Sequence, residues 1–188
     1  MENQTADKKE GRKQHFVFCL DSSGSMQGAP WADLMVAYNK FLDNRIVEQH
    51  GDDYISVIRY ENTSSVVFSG SVIDAKSHPI PFSAGGTNFG PPLRDAFDEF
   101  GREECSMYSP TMVFMSDGHG STDDETLGRI ARANKSRGIA FHFVSFGGSG
   151  GYLQPLADFG AAELGADRSK HYNASNGAEL AAVFLNIA

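Results

Sequence analysis

Cysteine and positive charge are both in short supply in this 188-residue chain, and each shortage argues against a class of function. The two cysteines, Cys19 and Cys105, form no C-x-x-C pair, and Cys19 falls in an apolar run where a thiol acts as a small hydrophobic group. Lys and Arg number 16 against 24 Asp and Glu, a formal charge of -8. The chain therefore lacks the basic footprint that nucleic acid requires. No apolar stretch is long enough to cross a bilayer, so no direct membrane insertion is expected, and the segment Met1 to Gln14 is polar rather than signal-like. As it stands the sequence reads as soluble and cytoplasmic, or as extracellular if it is a piece of a larger protein. G-x-G-x-x-G after the first strand, a Walker A sequence, and internal repeats are also missing. Asn3, Asn62, Asn134 and Asn173 each open an N-x-[ST] triplet, which a Ser-rich chain produces by chance and which we discount.

What the chain does have is material for one α/β domain: 40 % apolar residues, including 14 Phe. Residues 1–13 show no periodicity and are expected to be a disordered lead-in, with a single domain over 14–188. Phe16–Leu20 reads as a strand buried on both faces, as in a parallel sheet. A helix entered at Pro30 carries Leu34, Tyr38, Phe41 and Leu42 on one face. Tyr54–Tyr60 and Ser65–Phe68 are separated by a short polar link and read as a hairpin, hence one antiparallel edge. The segment 72–84, with two prolines, reads as a connection. Helical spacing follows from Pro91 to Phe100, a buried strand from Thr111, and a helix opened by Asp123-Asp124-Glu125 and closed near Gly138. A strand over 139–146, a glycine loop over 147–151, a helix over 153–164, a short strand around His171–Asn173 and a helix over 177–187 complete the pattern. Strands alternating with helices, plus one hairpin, predict a Rossmann-like, doubly wound, six-stranded sheet of order 3-2-1-4-5-6 with one antiparallel edge strand.

Two buried strands end in aspartate, Asp21 and Asp117, and the predicted order makes them neighbours at the point where strand order reverses. Asp21 opens Asp21-Ser22-Ser23-Gly24-Ser25, which places oxygen-bearing side chains at alternate positions. Thr87 stands in Gly85-Gly86-Thr87-Asn88, just before a helix, and can bring a third segment's hydroxyl to the same crevice. Carboxylates and hydroxyls are hard oxygen donors that suit Mg²⁺, Mn²⁺ or Ca²⁺ rather than zinc or copper.

These three separated motifs resemble the metal-ion-dependent adhesion site of von Willebrand factor type A domains, including the integrin inserted domains. The resemblance spans roughly residues 14–187 and implies a metal held by Asp21, Ser23, Ser25, Thr87 and Asp117. It implies Asp21 as a direct anionic ligand and Asp117 as a carboxylate that often acts through water. The implied function is divalent-cation-dependent protein binding, in adhesion or scaffolding, with an Asp or Glu of the partner completing the metal's shell. Mg²⁺ keeps water at spare positions, which such a carboxylate can replace. Asn88, His119, Ser121 and Tyr152 lie on loops at the same edge and are candidate ligand contacts. The oligomeric state is not legible.

No nucleophile or base accompanies the site, so an enzyme is not expected. The strongest enzyme alternative sets Asp21 and His119-Gly120-Ser121 beside the Asp and His segments of subtilisin-like proteases, with Ser145 or Ser149 as nucleophile; neither serine has that family's surroundings. A third alternative is a structural interaction domain with an incidental metal.

Overall fold

Six strands form one sheet in the computed structural model, which describes residues 12–147 and 151–188. They are β1 (Gln14–Asp21), β2 (Tyr54–Tyr60), β3 (Ser64–Ser71), β4 (Ser109–Ser116), β5 (Ala140–Phe146) and β6 (Ser169–Ala174). The order is β3-β2-β1-β4-β5-β6, with only the β2–β3 pair antiparallel. This is the predicted architecture, including the reversal between β1 and β4. A one-residue bulge at Val67 shifts the β2–β3 register, since Val57 pairs with Phe68 and Ile58 with Val66.

The helices are α1 (Ala29–Val47), α2 (Val72–Ala75), α3 (Gly90–Phe100), α4 (Asp124–Asn134), α5 (Gln154–Leu164) and α6 (Gly177–Ile187). Pro30 and the Pro91-Pro92 pair sit in first turns, where no backbone N–H is needed. Asp123 caps α4 by accepting from Thr126 N, and Asn176 caps α6 by accepting from Glu179 N. The single turn α2 falls where a plain connection was expected. Its signal was present as Ser71-x-x-Asp74, and the Ser71 hydroxyl does accept from Asp74 N.

Side chains alternate across each strand, so the sheet buries a core on both faces. Phe16, Phe18, Leu20, Val113, Met115 and Val144 pack against α1 and α6 on one side. Phe18 is enclosed by the rings of Tyr38, Phe41 and Phe184 at 4.9–5.6 Å. Val17, Cys19, Phe114 and Phe143 pack against α3, α4 and α5 on the other side. Of the expected lead-in, residues 1–11 lie outside the described residues. Arg12 and Lys13 are tied down: Arg12 Nε donates to Met107 O, and Ser109 N donates to Lys13 O. Among the described residues no helix is long and apolar enough to cross a membrane.

Candidate metal centre

The carboxyl ends of β1 and β4 lie side by side, because Leu20 pairs with Met115. Asp21 and Ser116 therefore stand next to each other on one face of the sheet. Asp21 is fully buried, and each of its oxygens is engaged. Oδ1 accepts from Ser23 N at 2.8 Å and Oδ2 from the Ser116 hydroxyl at 2.6 Å. Asp21, expected as a direct anionic ligand, is a buried anchor here that sets the Ser23 backbone. Burial pushes its carboxyl above the ordinary range, the bonds from Ser116 and Ser23 pull it back, and the Asp117 charge pushes it further up.

After Asp21 the chain turns through a single 3-10 turn, Gly24–Met26, anchored by the fully buried Met26. This turn presents two hydroxyls in succession. Ser23 Oγ and Ser25 Oγ are 3.1 Å apart, and Ser25 Oγ donates to Asp117 Oδ1 at 2.9 Å. Asp117 is half-buried, so it is the more accessible of the two carboxylates. The Thr87 loop joins the crevice through its backbone: Gly24 N donates to Gly85 O and Asn88 N to Glu61 O, both at 2.9 Å. Thr87 is half-buried between these two ties and makes no side-chain hydrogen bond among the described residues.

The donor set suits a hard divalent cation. Oxygens about 2.1 Å from a central Mg²⁺ in an octahedron stand roughly 3 Å from their neighbours. The separations across Ser23, Ser25 and Asp117, 3.1 and 2.9 Å, match that spacing. Among the described residues no group of three or more His, Cys, Asp or Glu is placed to hold a metal, which leaves only two carboxylates and the hydroxyls.

The four candidate ligand contacts fall into two pairs. Asn88 Oδ1 accepts from the Ser121 hydroxyl at 2.8 Å and from Gly90 N at 3.0 Å, while Phe89 N donates to Ser121 O. Asn88 and Ser121 thus clasp the Thr87 loop to the loop after Asp117. His119 and Tyr152 lie ring against ring, with centroids 3.6 Å apart, and join that same loop to the start of α5. Ser145 bonds to Nε2 of His171 at 2.8 Å, so its partner is not His119; Ser149 lies outside the described residues.

Three residues of the site were not singled out from sequence. Ser116, which holds Asp21, was legible in principle from the strand register that aligns the two motifs. Tyr60 is fully buried beneath the site and donates to Met115 O at 2.8 Å; burial and then the Asp21 charge push its phenol well above the usual range. Glu61 lies against Gly85, where an added Cβ would stand 2.6 Å from Glu61 Oε2.

The sequence profile of the von Willebrand factor type A domain matches residues 16–119. Among curated proteins none is similar in sequence. Solved structures share the fold at low identity. The VWA domain of SpRpn10 superposes with a TM-score of 0.67 at 14% identity, covering 95% of this chain and 96% of that one. The pilus adhesin SpaC from Lactobacillus rhamnosus GG gives 0.70 at 12%, covering 95% of this chain and 30% of that one. Proximal thread matrix protein 1 from the mussel byssus gives 0.65 at 17%, covering 93% of this chain and 45% of that one. This chain thus spans less than half the length of the latter two. With the matched profile running from β1 through the loop after Asp117, more than half of its length, the chain belongs to the von Willebrand factor type A domain family.

Proposed function

We propose that the chain is a divalent-cation-dependent protein-binding module whose cation, Mg²⁺ or else Mn²⁺ or Ca²⁺, is held by Ser23, Ser25, Thr87 and Asp117 with Asp21 behind them. Domains of this family generally mediate protein–protein interaction, and a pilus adhesin is among the similar structures. The observation that carries the reading is the line of oxygens Ser23, Ser25, Asp117, drawn from two loops and set at 3.1 and 2.9 Å. The cation would supply a Lewis-acidic acceptor for an Asp or Glu carboxylate of the partner. The residues of this chain do the positioning. Asp21 fixes Ser23, Ser116 fixes Asp21, and the Asn88–Ser121 clasp holds the Thr87 and Asp117 loops at one separation. With two carboxylates against a doubly charged ion, the first shell is at most neutral, which leaves affinity for one more anion.

The Ser145–His171 pairing supports a binding role over the subtilisin-like alternative, because Ser145 is 3 % exposed and turned to a histidine on β6. A pull-down from lysate of the source cells, with Mg²⁺ and again with EDTA, tests the reading. Partners released by EDTA and restored by Mg²⁺ support it, and partners retained in EDTA favour a structural module with an incidental metal.

A further inference from the structure

A cavity of about 330 Å³ opens between α1 and the segment 76–80 that follows α2. We propose that it is a docking pocket for a tyrosine side chain of a protein partner, a contact separate from the candidate metal centre. Its apolar walls are Met35, Pro79 and Ile80, and its polar groups come from Tyr38, Asn39, Lys76 and His78. None of these residues belongs to the loops of the metal centre, so the pocket does not depend on a cation.

Tyr38 forms the floor. Its ring is buried in the core, edge-on to Phe18 with centroids 5.5 Å apart, and the whole residue is 3 % exposed. Its hydroxyl has no hydrogen-bond partner among the described residues. It is not sealed either, since the fully buried side-chain atoms without a partner belong to His15, Arg45 and Arg59. The hydroxyl therefore faces the cavity, where an incoming group can reach it. A buried tyrosine hydroxyl usually finds a hydrogen-bond partner. Here the fold supplies none, and the bond is left to whatever enters. Burial pushes the phenol above its usual range, so it stays protonated at pH 7 and can both donate and accept.

The polar lining holds no charge in reserve for an ion. Lys76 Nζ pairs with Asp43 Oδ1 at 2.7 Å, and Asn39 Nδ2 donates to Met35 O. His78, its ring 5.0 Å from that of Phe68, pins the segment 76–80 to β3. The fitting occupant is thus neutral, with an apolar body and one hydrogen-bonding atom at its tip. The volume stands at the lower end of small-molecule sites, enough for a single ring. An aromatic ring suits the walls, because a thioether sulfur such as that of Met35 makes favourable contacts at ring edges. Tyrosine joins such a ring to such a tip, and it is among the residues that anchor protein interfaces by filling pockets. A free phenol presents the same group but buries too little area to be held tightly by itself. The exposed Val36 and Ile73, on the α1 and α2 elements flanking the cavity, offer apolar surface to the rest of a protein partner.

N-acetyl-L-tyrosinamide is the probe, titrated in EDTA into the full chain while the Met35 methyl and His78 ring resonances are followed by NMR. Working without metal separates this outcome from that of the cation reading. Saturation in about the millimolar range is expected, with N-acetyl-L-phenylalaninamide, which lacks the hydroxyl, about 3- to 10-fold weaker. Tyr38→Phe keeps the ring in the core and should bind the two probes equally. Met35→Lys, at a half-buried position on the wall, should lose the response. A linear drift without saturation, a preference for the tyrosinamide that survives in Tyr38→Phe, or an undiminished response in Met35→Lys would each overturn the assignment. Tighter binding of p-cresol than of the tyrosinamide would mark a site for a free phenol and overturn the protein partner.

Discussion

Ser25 and Asp117 meet across the crevice, the serine hydroxyl donating to Asp117 Oδ1 at 2.9 Å, although 92 positions separate them in the chain. The contact exists because β1 and β4 are neighbours in parallel register, so that both loops leave the sheet at the same height. Asp21 belongs to the same edge but points into the protein. The two carboxylates are thus unequal, one a half-exposed donor and the other a buried brace.

This inequality orders the expected effects on cation binding. Asp117→Ala removes the accessible carboxylate and should lower Mg²⁺ affinity more than Asp21→Asn does. Asp21→Asn keeps the shape but replaces one acceptor with an amide donor, against either Ser23 N or the Ser116 hydroxyl. A loss of about 10- to 100-fold is expected for it, typical of a group that orients ligands. Titration calorimetry with Mg²⁺ decides the matter, and equal affinities in wild type and Asp117→Ala would refute the metal assignment.

The strand order, the hairpin and the ends of most helices were legible because periodicity and caps are local signals. The five candidate residues stand out in the sequence for a different reason: each stands at an end of a strand or in a glycine loop, where apolar patterning breaks off. The side-chain roles within the site were not legible. Whether Asp21 faces a cation or the core depends on Ser116, 95 residues away, and on burial by both neighbouring strands. Asn88 and Ser121 likewise read as free loop groups until the fold places them within 2.8 Å. Long-range partners of this kind leave no mark in a window of sequence.

His15 predicts acid sensitivity. It is fully buried; burial, then the Arg137 and Arg102 charges, lower its pKa to about 3. Its Nε2 lies 3.0 Å from Ser56 Oγ, whose own proton goes to Glu99 Oε2 at 2.6 Å. Nε2 is therefore the protonated nitrogen, and Nδ1 is left buried without a partner. The folded pKa lies below the unfolded one, so the unfolded chain binds more protons between about pH 6.5 and 3. This stability is full above pH 6.5 and is lost as pH falls through that window, roughly 2 kcal/mol by pH 5. His142, with its pKa near 4, adds loss of the same sign. Urea unfolding at pH 7 and pH 5 measures it; His15→Phe should flatten the dependence, and an unchanged slope would show that the histidine is not the cause.

The buried pair Arg45–Asp53 ties the end of α1 to the hairpin strand and to Ala188. Asp53→Ala leaves a buried guanidinium without its counter-charge and removes the acceptor for Gln14 N. A cost of about 3–5 kcal/mol follows from stranding one partner of such a pair. Arg45→Met combined with Asp53→Ala should recover part of it, because no charge then remains buried. Denaturant midpoints for the two variants test this; a double variant less stable than Asp53→Ala would mean that Arg45 acts through its bond to Ala188 and its place over the Phe16 ring.

Movement of α6 on ligand binding is expected from the residues flanking the loop that joins β5 to α5. Gly147 and Gly151 hold φ of 94° and 116°, a region closed to most side chains, and residues 148–150 between them lie outside the described residues. Gly147 N donates to Ala174 O, which leads directly to α6, and Tyr152 reaches back to His119 beside Asp117. The described residues on the two sides of this loop therefore contact the candidate metal centre, through Tyr152, and the segment leading into α6, through Gly147. At its first residue, α6 abuts α1 closely, since a Cβ on Gly177 would stand 2.5 Å from Asp33 Cγ. Towards its far end Phe184 is buried in the core, with Val183, Ile187 and Ala188 packed against it. A carboxylate partner that favours one arrangement of the Thr87 and Asp117 loops can shift α6 only if that arrangement differs in affinity for the partner. Hydrogen exchange with Mg²⁺ and a carboxylate-bearing ligand should then change over 177–187 as well as over 21–28, 85–90 and 117–121. Thr87→Ala should abolish the distant change while the domain remains folded. Changes confined to the three loops would instead describe a rigid binding face, with α6 serving the core alone.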